Sequence, residues 1–484
     1  MKFEHEKTNV ILKWFEELSK IPRCSKHEEL IGQWLVDWAT EHNFEKDMDE
    51  AGNIVIKVPA TPGFENSPIV VIQGHMDMVC EKSKKSNHDF SKDPIKFVYE
   101  GEWLTADETT LGADNGIAIA MAMAMADSDD TPHPPLELLF TVDEETGLTG
   151  ANALQPGFID GKLLINVDSE DEGVFTVGCA GGINTNLTLP LDYEAIPAGY
   201  KAHKIIVGGM KGGHSGIDIA LEKGNAIKAL GRVLHELALN MDVRVVDLVG
   251  GSAHNAIPRD AEGIVVFPEA SWQQAKDIVA QVEQTLKDEF VNTDPDLHVD
   301  LEQVAGDNAN QAATTAGTKK AIEFMAVVPH GVDAMSTDIP GLVETSNNFA
   351  NIKIEDKVIK VLTSQRSSVV SRLNALTTRI EAAAKIAGGD GVSGDGYPPW
   401  QPNMDSPLLA KAKEVYKKQF DKEPVVEVIH AGLECGIIGD KNPGMDMLSI
   451  GPTLKYPHSP DEKIHVGTIG MVWDFMCQLM LELK

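Results

Sequence analysis

The sequence predicts an α/β fold in which a discontinuous domain with a mostly parallel central sheet is interrupted by a smaller α/β domain. Three observations predict it. Short runs of branched apolar residues alternate with helical stretches in the first and last parts of the chain, the pattern of helices packed on a parallel sheet. That pattern breaks twice, around residues 189–200 (LPLDYEAIPAGY) and in the Gly- and Pro-rich segment 388–403 (GGDGVSGDGYPPWQPN). Between the breaks a strand–helix unit occurs twice, a weak internal repeat. The expected division is therefore 1–187 plus 394–484 for the outer domain and 188–393 for the insert.

Residues 8–21 place Leu12, Phe15, Leu18 and Ile21 at helical spacing, and Pro22 stops the pattern. Residues 28–39 repeat the theme. Asn53–Val58, Pro68–Ile72, Leu136–Val142 and Leu163–Val167 are short branched runs bounded by turn residues, which reads as buried strands. Gly116–Ala126 between them reads as a helix whose Met121, Met123 and Met125 fill core space. In the insert, Lys204–Val207 and Lys353–Leu362 read as strands, followed by helices over Lys223–Leu239 and Ser368–Ile386. After the second break, Ser406 and Pro407 suit an N-cap and first helical position for a helix to about Phe420. Val425–Ile429 and Met447–Ile450 read as strands, and Gly467–Leu483 closes the chain as a helix.

The chain of 484 residues exceeds the ~100–200 typical of one domain. Its 42 Lys and Arg against 74 Asp and Glu give a net charge of −32, which argues against nucleic acid and against an anionic membrane surface. The longest apolar run, Gly116 to Ala126, is far short of the ~18 residues a membrane span needs. The N-terminus is charged and amphipathic with no signal-like apolar region, so the cytoplasm is the expected location. Cys24, Cys80, Cys179, Cys435 and Cys477 are scattered and odd in number, which predicts reduced thiols with no disulfide framework.

Several of the expected strands run into a metal-binding residue type. IVVIQG leads to His75 and Asp77, LELLFTVD to Glu144 and Glu145, LLINV to Asp168, and MLSIGPTLKYP to His458. Asp114 lies in LGADNG, just before a helix. Ligands of open α/β sheets bind outside the carboxyl ends of the strands, so these side chains are expected to converge on one edge. Imidazole and carboxylate donors suit Zn²⁺, Co²⁺ or Mn²⁺. Five ligands are too many for one open catalytic zinc, but they suit two metals ~3.5–4 Å apart that share a bridging carboxylate. An isolated HxD or Glu-Glu pair would carry little weight; the ordered set at strand ends carries the argument. No H-E-x-x-H, G-x-S-x-G, Walker A or Rossmann glycine pattern is present.

GHMDMV, LGADNG, DEETG, NVDSE and a late PHSPDE, with GGHSGIDI in the insert, resemble the co-catalytic zinc exopeptidases of the carboxypeptidase G and aminoacylase group. The resemblance keeps the motif order and spans nearly the whole chain. HNAIPRD, IHAGLECGII and the length of the insert resemble the aminoacyl-histidine dipeptidase branch. It implies that His75 and Asp168 bind one zinc, Glu145 and His458 the other, and Asp114 bridges both. It further implies Glu144 as general base, Asp77 as the buttress of His75, and a cis peptide at Asp114–Asn115. His214 is implied as the oxyanion donor, reaching across a homodimer, although a doubled insert could replace a partner subunit. Arg366 and Asn255 are candidates to grip the substrate, since a guanidinium fork suits a free carboxylate. His254 and Cys80 are expected to be structural, and His430 and Glu434 carry no assigned role. The implied activity is hydrolysis of unblocked dipeptides, including β-alanyl-histidine. The alternatives are a tripeptide aminopeptidase, an N-acyl amino acid deacylase, or a binding protein without catalysis, against which the retained Glu144 speaks.

Overall fold

The computed structural model describes residues 3–128, 130–304, 310–337 and 339–484. The chain divides into two compact units. One runs to Cys179 and resumes over Trp400–Val428 and Leu433–Lys484; the other is Ala180–Pro399 with Ile429–Gly432.

The first unit begins with helices α1 (Glu6–Leu18) and α2 (Glu29–Glu41), then strands β1 (Glu45–Met48), β2 (Ile54–Val58) and β3 (Val70–His75). Helix α3 (Ala113–Ala126) and strands β4 (Leu136–Thr141), β5 (Leu163–Asn166) and β6 (Val174–Cys179) follow. The inserted unit contains β7 (Gly181–Pro190), β8 (Tyr200–Gly208), α4 (Ala226–Asn240), β9 (Arg244–Gly250), β10 (Ala261–Pro268), α5 (Trp272–Glu289) and β11 (His298–Gln303). It continues with α6 (Thr315–Val327), β12 (Val343–Glu355), β13 (Val358–Ser367), α7 (Val370–Ile386) and β14 (Asp390–Ser393). The chain ends with α8 (Pro407–Phe420), β15 (Val425–Ile429), α9 (Glu434–Lys441), β16 (Asp446–Ser449) and α10 (Val466–Glu482).

Local chemistry sets the helix ends. The His5 ring accepts the Thr8 amide to cap α1, and the Ser406 hydroxyl accepts the Leu409 amide to cap α8 with Pro407 at its first position. The sheet of the first unit has the order β1-β2-β4-β3-β5-β16-β6-β15. Its centre, β4-β3-β5-β16, runs parallel, and antiparallel pairings flank it. Every residue of β3 and β4 is buried, so these strands read as continuous apolar runs and not as alternation. Phe140 and Leu138 of β4 and Ile165 of β5 are fully buried, each worth roughly 1.5–3 kcal/mol of apolar transfer.

The inserted unit holds a nine-stranded sheet with the eight-strand path β11-β8-β10-β9-β12-β13-β7-β14, and the ninth strand, Gly331–Met335, pairs with β12 off this path. It is built from two copies of one strand–helix–strand–strand–helix–strand module. The first copy is β8–α4–β9–β10–α5–β11 and the second is β7–α6–β12–β13–α7–β14. In each copy the strands lie in the spatial order fourth, first, third, second. The copies meet where β9 pairs with β12, Val249 opposite Lys353 and Gly250 opposite Ile352. The first copy is threaded into the connection between β7 and α6 of the second. The expected repeat is therefore present, with one correction. Lys353–Leu362 is not one strand but the β12–β13 hairpin, which turns at Asp356 and Lys357, both at positive φ.

The expectation of reduced thiols throughout is also corrected: Cys24 and Cys80 form a disulfide. A parallel bridge between Cys24 and Met78 brings the two cysteine Cα atoms to 5.6 Å, within the range a disulfide spans. Cys179, Cys435 and Cys477 are not disulfide-bonded among the described residues. Cys179 and Trp400, the residues that border the insert, exchange both backbone hydrogen bonds, at 2.9 and 3.1 Å.

Candidate active site

His75 is the last residue of β3, Glu144 and Glu145 follow β4, Asp168 follows β5 and His458 follows β16. Parallel strands end at one edge of a sheet, so these side chains arrive together. Asp114 comes from the start of α3, where the Asp114–Asn115 peptide is cis. The Asn115 side chain accepts the His75 amide and donates to the Val167 carbonyl at 2.7 Å, pinning the ends of β3 and β5 to α3.

Asp114 lies between the two imidazoles. Its Oδ1 is 3.1 Å from Nε2 of His75 and its Oδ2 is 3.1 Å from Nε2 of His458. Asp168 stands 3.6 Å from the same nitrogen of His75, and Glu145 2.9 Å from that of His458. Two triads, His75–Asp114–Asp168 and His458–Asp114–Glu145, thus share one carboxylate. The buried Oε1 of Glu145 has no hydrogen-bond partner among the described residues. An anionic donor set of this kind, with an orphaned carboxylate oxygen, fits divalent cations. The surrounding acids hold both imidazoles protonated, against the burial that opposes it at His75; hydrogen bonds to Asp114 and Glu145 carry His458 to about 11. A bound cation would displace those protons.

Asp77 organises the site from below. One carboxylate oxygen lies 3.2 Å from Nδ1 of His75, which directs Nε2 toward the acids. The same carboxylate accepts the amides of Glu144 and Glu145 at 3.0 and 3.2 Å. Burial pushes the Glu144 carboxyl well above the ordinary range, reinforced by the neighbouring charges of Asp168, Glu145 and Glu434 and opposed by His75.

The other site candidates belong to the inserted unit. His214 and Asn255 are brought side by side by a two-residue ladder, Gly213 opposite Ile257 and His214 opposite Ala256. Nδ1 of His214 accepts the amides of Gly216 and Ile217, which leaves the ring proton of the neutral form on Nε2. Burial, with the charges of Arg366 and His254, lowers His214 to about 4, so it is neutral at physiological pH. Arg366 is buried and donates to the Tyr397 hydroxyl at 2.8 Å, while its Nε has no partner among the described residues. Asn255 is exposed. His430, unassigned from sequence, lies 2.7 Å from the Ser346 hydroxyl and is lowered to about 3 by burial and by Arg366. In the first unit, Glu434 is fully buried and accepts from Gln73 at 2.6 Å and Thr141 at 2.7 Å.

Sequence reasoning missed two buried charges that bind the backbone of the segments carrying Asp77 and Asp114, Arg23 and Glu462. A signal was present for Glu462, which lies in PHSPDE beside His458; Arg23 follows the helix-stopping Pro22 and carries no motif.

Residues 71–482 match the sequence profile of peptidase family M20/M25/M40. The chain belongs to this family. It is 40% identical over 469 residues to the cytosol non-specific dipeptidase of Escherichia coli (strain K12), covering 97% of this chain and 96% of that one. The crystal structure of aminoacylhistidine dipeptidase from Vibrio alginolyticus superposes with a TM-score of 0.90 at 40% identity, covering 100% of this chain and 98% of the other. Aminopeptidase PepT from Bacillus cereus shares the fold alone, with a TM-score of 0.57 at 16% identity over 98% of both chains. The M20 chain is accordingly a metal-dependent hydrolase of peptide bonds, as the motifs led one to expect.

Proposed function

We propose that this M20 dipeptidase cleaves unblocked dipeptides of the Xaa-His class, β-alanyl-histidine among them, with two divalent metals and Glu144 as general base. The observation that carries the two-metal reading is Asp114, whose two oxygens each face a different imidazole. His75, Asp168 and Asp114 would hold one ion, and His458, Glu145 and Asp114 the other. Zn²⁺ suits this donor set, and Co²⁺ or Mn²⁺ could replace it. Two such ions, when bound, lower the pKa of a water toward neutrality. Glu144, its carboxyl raised by burial, takes a proton from the attacking water and returns it to the departing amine. His214, neutral and with its proton on Nε2, is the proposed donor to the oxyanion. Arg366, with Asn255, is the proposed grip on the substrate carboxylate.

The histidine preference rests on the aminoacylhistidine dipeptidase at 40% identity. A cytoplasmic location is proposed from the cytosolic relative, and a homodimer from the family resemblance. The tripeptidase and deacylase readings are not favoured, because the relatives at 40% identity are dipeptidases and PepT shares only the fold. A panel of β-Ala-His, Gly-His, a tripeptide and N-acetyl amino acids tests the assignment. The two dipeptides should turn over fastest. Preference for the acylated compounds, or tight dipeptide binding without turnover, would overturn it.

A further inference from the structure

Glu462 and Arg23 are 2% and 1% exposed. Both spend their hydrogen bonds on backbone. Oε2 of Glu462 accepts the amides of Leu111 and Gly112 at 2.7 and 3.0 Å; Oε1 accepts those of Ala113 and Asp114 at 2.8 and 3.4 Å. Four consecutive N–H groups at the start of α3 therefore converge on one carboxylate, in the place where such a helix start would otherwise take an external anion. Arg23 works from the opposite polarity. Its Nη1 donates to the carbonyls of Met76 and Asp77 at 3.1 and 3.0 Å, and its Nη2 donates to the carbonyl of Gly112.

The loop geometry depends on this grip. Gly112 is left-handed, at φ 70° and ψ 28°, and a Cβ there would lie 2.5 Å from Nη2 of Arg23 and 2.8 Å from the Met78 sulfur. A Cβ on Gly116 would lie 2.6 Å from the same Nη2. The guanidinium thus occupies space that only two glycines leave open.

We propose that Arg23 and Glu462 are positioning residues for the bridging carboxylate. Glu462 ties the loop that carries His458 to the loop that carries Asp114. Arg23 ties that same Asp114 loop to the segment directly after His75. Between them the pair fixes all three chain segments that meet at Asp114, and so sets the separation at which one carboxylate can serve two cations. Each charge also compensates the other in a region closed to water, where either left alone would be costly.

This inference rests on the two-metal reading, and zinc titration of the full-length chain separates the two. Apo protein is prepared by chelation and titrated with Zn²⁺ by calorimetry, with bound metal counted by mass spectrometry. Wild type should bind two equivalents; one equivalent or none sinks the two-metal reading itself. Glu462→Gln and Arg23→Lys should fold in the apo state but bind the second equivalent about 10–100-fold more weakly, the range for residues that orient metal ligands. Their kcat should fall with KM nearly unchanged. If wild type binds two equivalents and both variants match its affinity, the positioning role is overturned. Should Glu462→Gln not fold, Glu462→Asp decides: it keeps the charge but withdraws it by one methylene, and unchanged affinity for the second equivalent again overturns the role.

Discussion

The two units bury ionisable groups of different kinds. In the first, Asp77, Asp114, Glu144, Asp168, Glu434 and Glu462 crowd around two imidazoles and one guanidinium. In the inserted unit Arg366 is buried, and burial together with its charge lowers His214 to about 4 and His430 to about 3, with Asp218 the acid that acts on His214. The sheets differ in the same way. Strands β3 and β4 are buried along their whole length, whereas β7 and β8 alternate between core and solvent. A surplus of buried carboxylates is tolerable only with cations to meet it, and a buried guanidinium whose Nε has no partner among the described residues suits an anion. The contrast teaches that the acid-rich donor set and the cluster around Arg366 are divided between separate units of the chain.

The sharpest way to break this division is Glu144→Gln. It removes a proton carrier but no proposed ligand, so turnover should fall by about 10²–10⁴ while mass spectrometry finds the metal content unchanged. A near-normal rate would end the assignment of Glu144 as base. Asp77→Ala probes the support of the metal site. It releases Nδ1 of His75 and the amides of Glu144 and Glu145 together, and metal affinity should drop about 10–100-fold in a chelator competition assay. The smallest effect belongs to the inserted unit. His203 is fully buried, stacked 3.9 Å from Phe267 and 4.9 Å from Trp272, and burial lowers it to about 4. An unfolded histidine titrates near ~6.5, so between those values the unfolded chain binds the extra proton. Stability contributed by neutral His203 is full above about 6.5 and is lost as pH falls toward 4. His203→Phe should flatten that acid-side loss in melting temperature measured from pH 7 to pH 4.5; an unchanged slope would show that another group is responsible.

How much of this was legible depends on which part of a residue does the work. Strands β3, β4 and β5 announced themselves because each is a closed apolar run, and the expected ligands after them because each follows such a run with a side chain that can coordinate. The β12–β13 hairpin was hidden, since Ile354–Glu355–Asp356–Lys357–Val358 turns through two positive-φ residues without a glycine or asparagine to mark it. The disulfide was hidden because its cysteines are 56 residues apart and the total is odd. Arg23 and Glu462 were hidden for a deeper reason. They bind carbonyls and amides that every residue possesses, so nothing at the receiving end is written in side chains.

The bridge between Cys179 and Trp400 has a consequence for how such a chain can be rebuilt. Where two backbone segments already exchange hydrogen bonds, a tight turn can join them. All of the chain from Ala180 to Pro399 therefore departs and returns through one doorway, and a short loop in its place would leave the ends of β6 and the approach to α8 where they are. Cys179 and Trp400 are in this sense a natural pair of ends, at which the chain can be cut and rejoined without interrupting a strand of the larger unit's sheet.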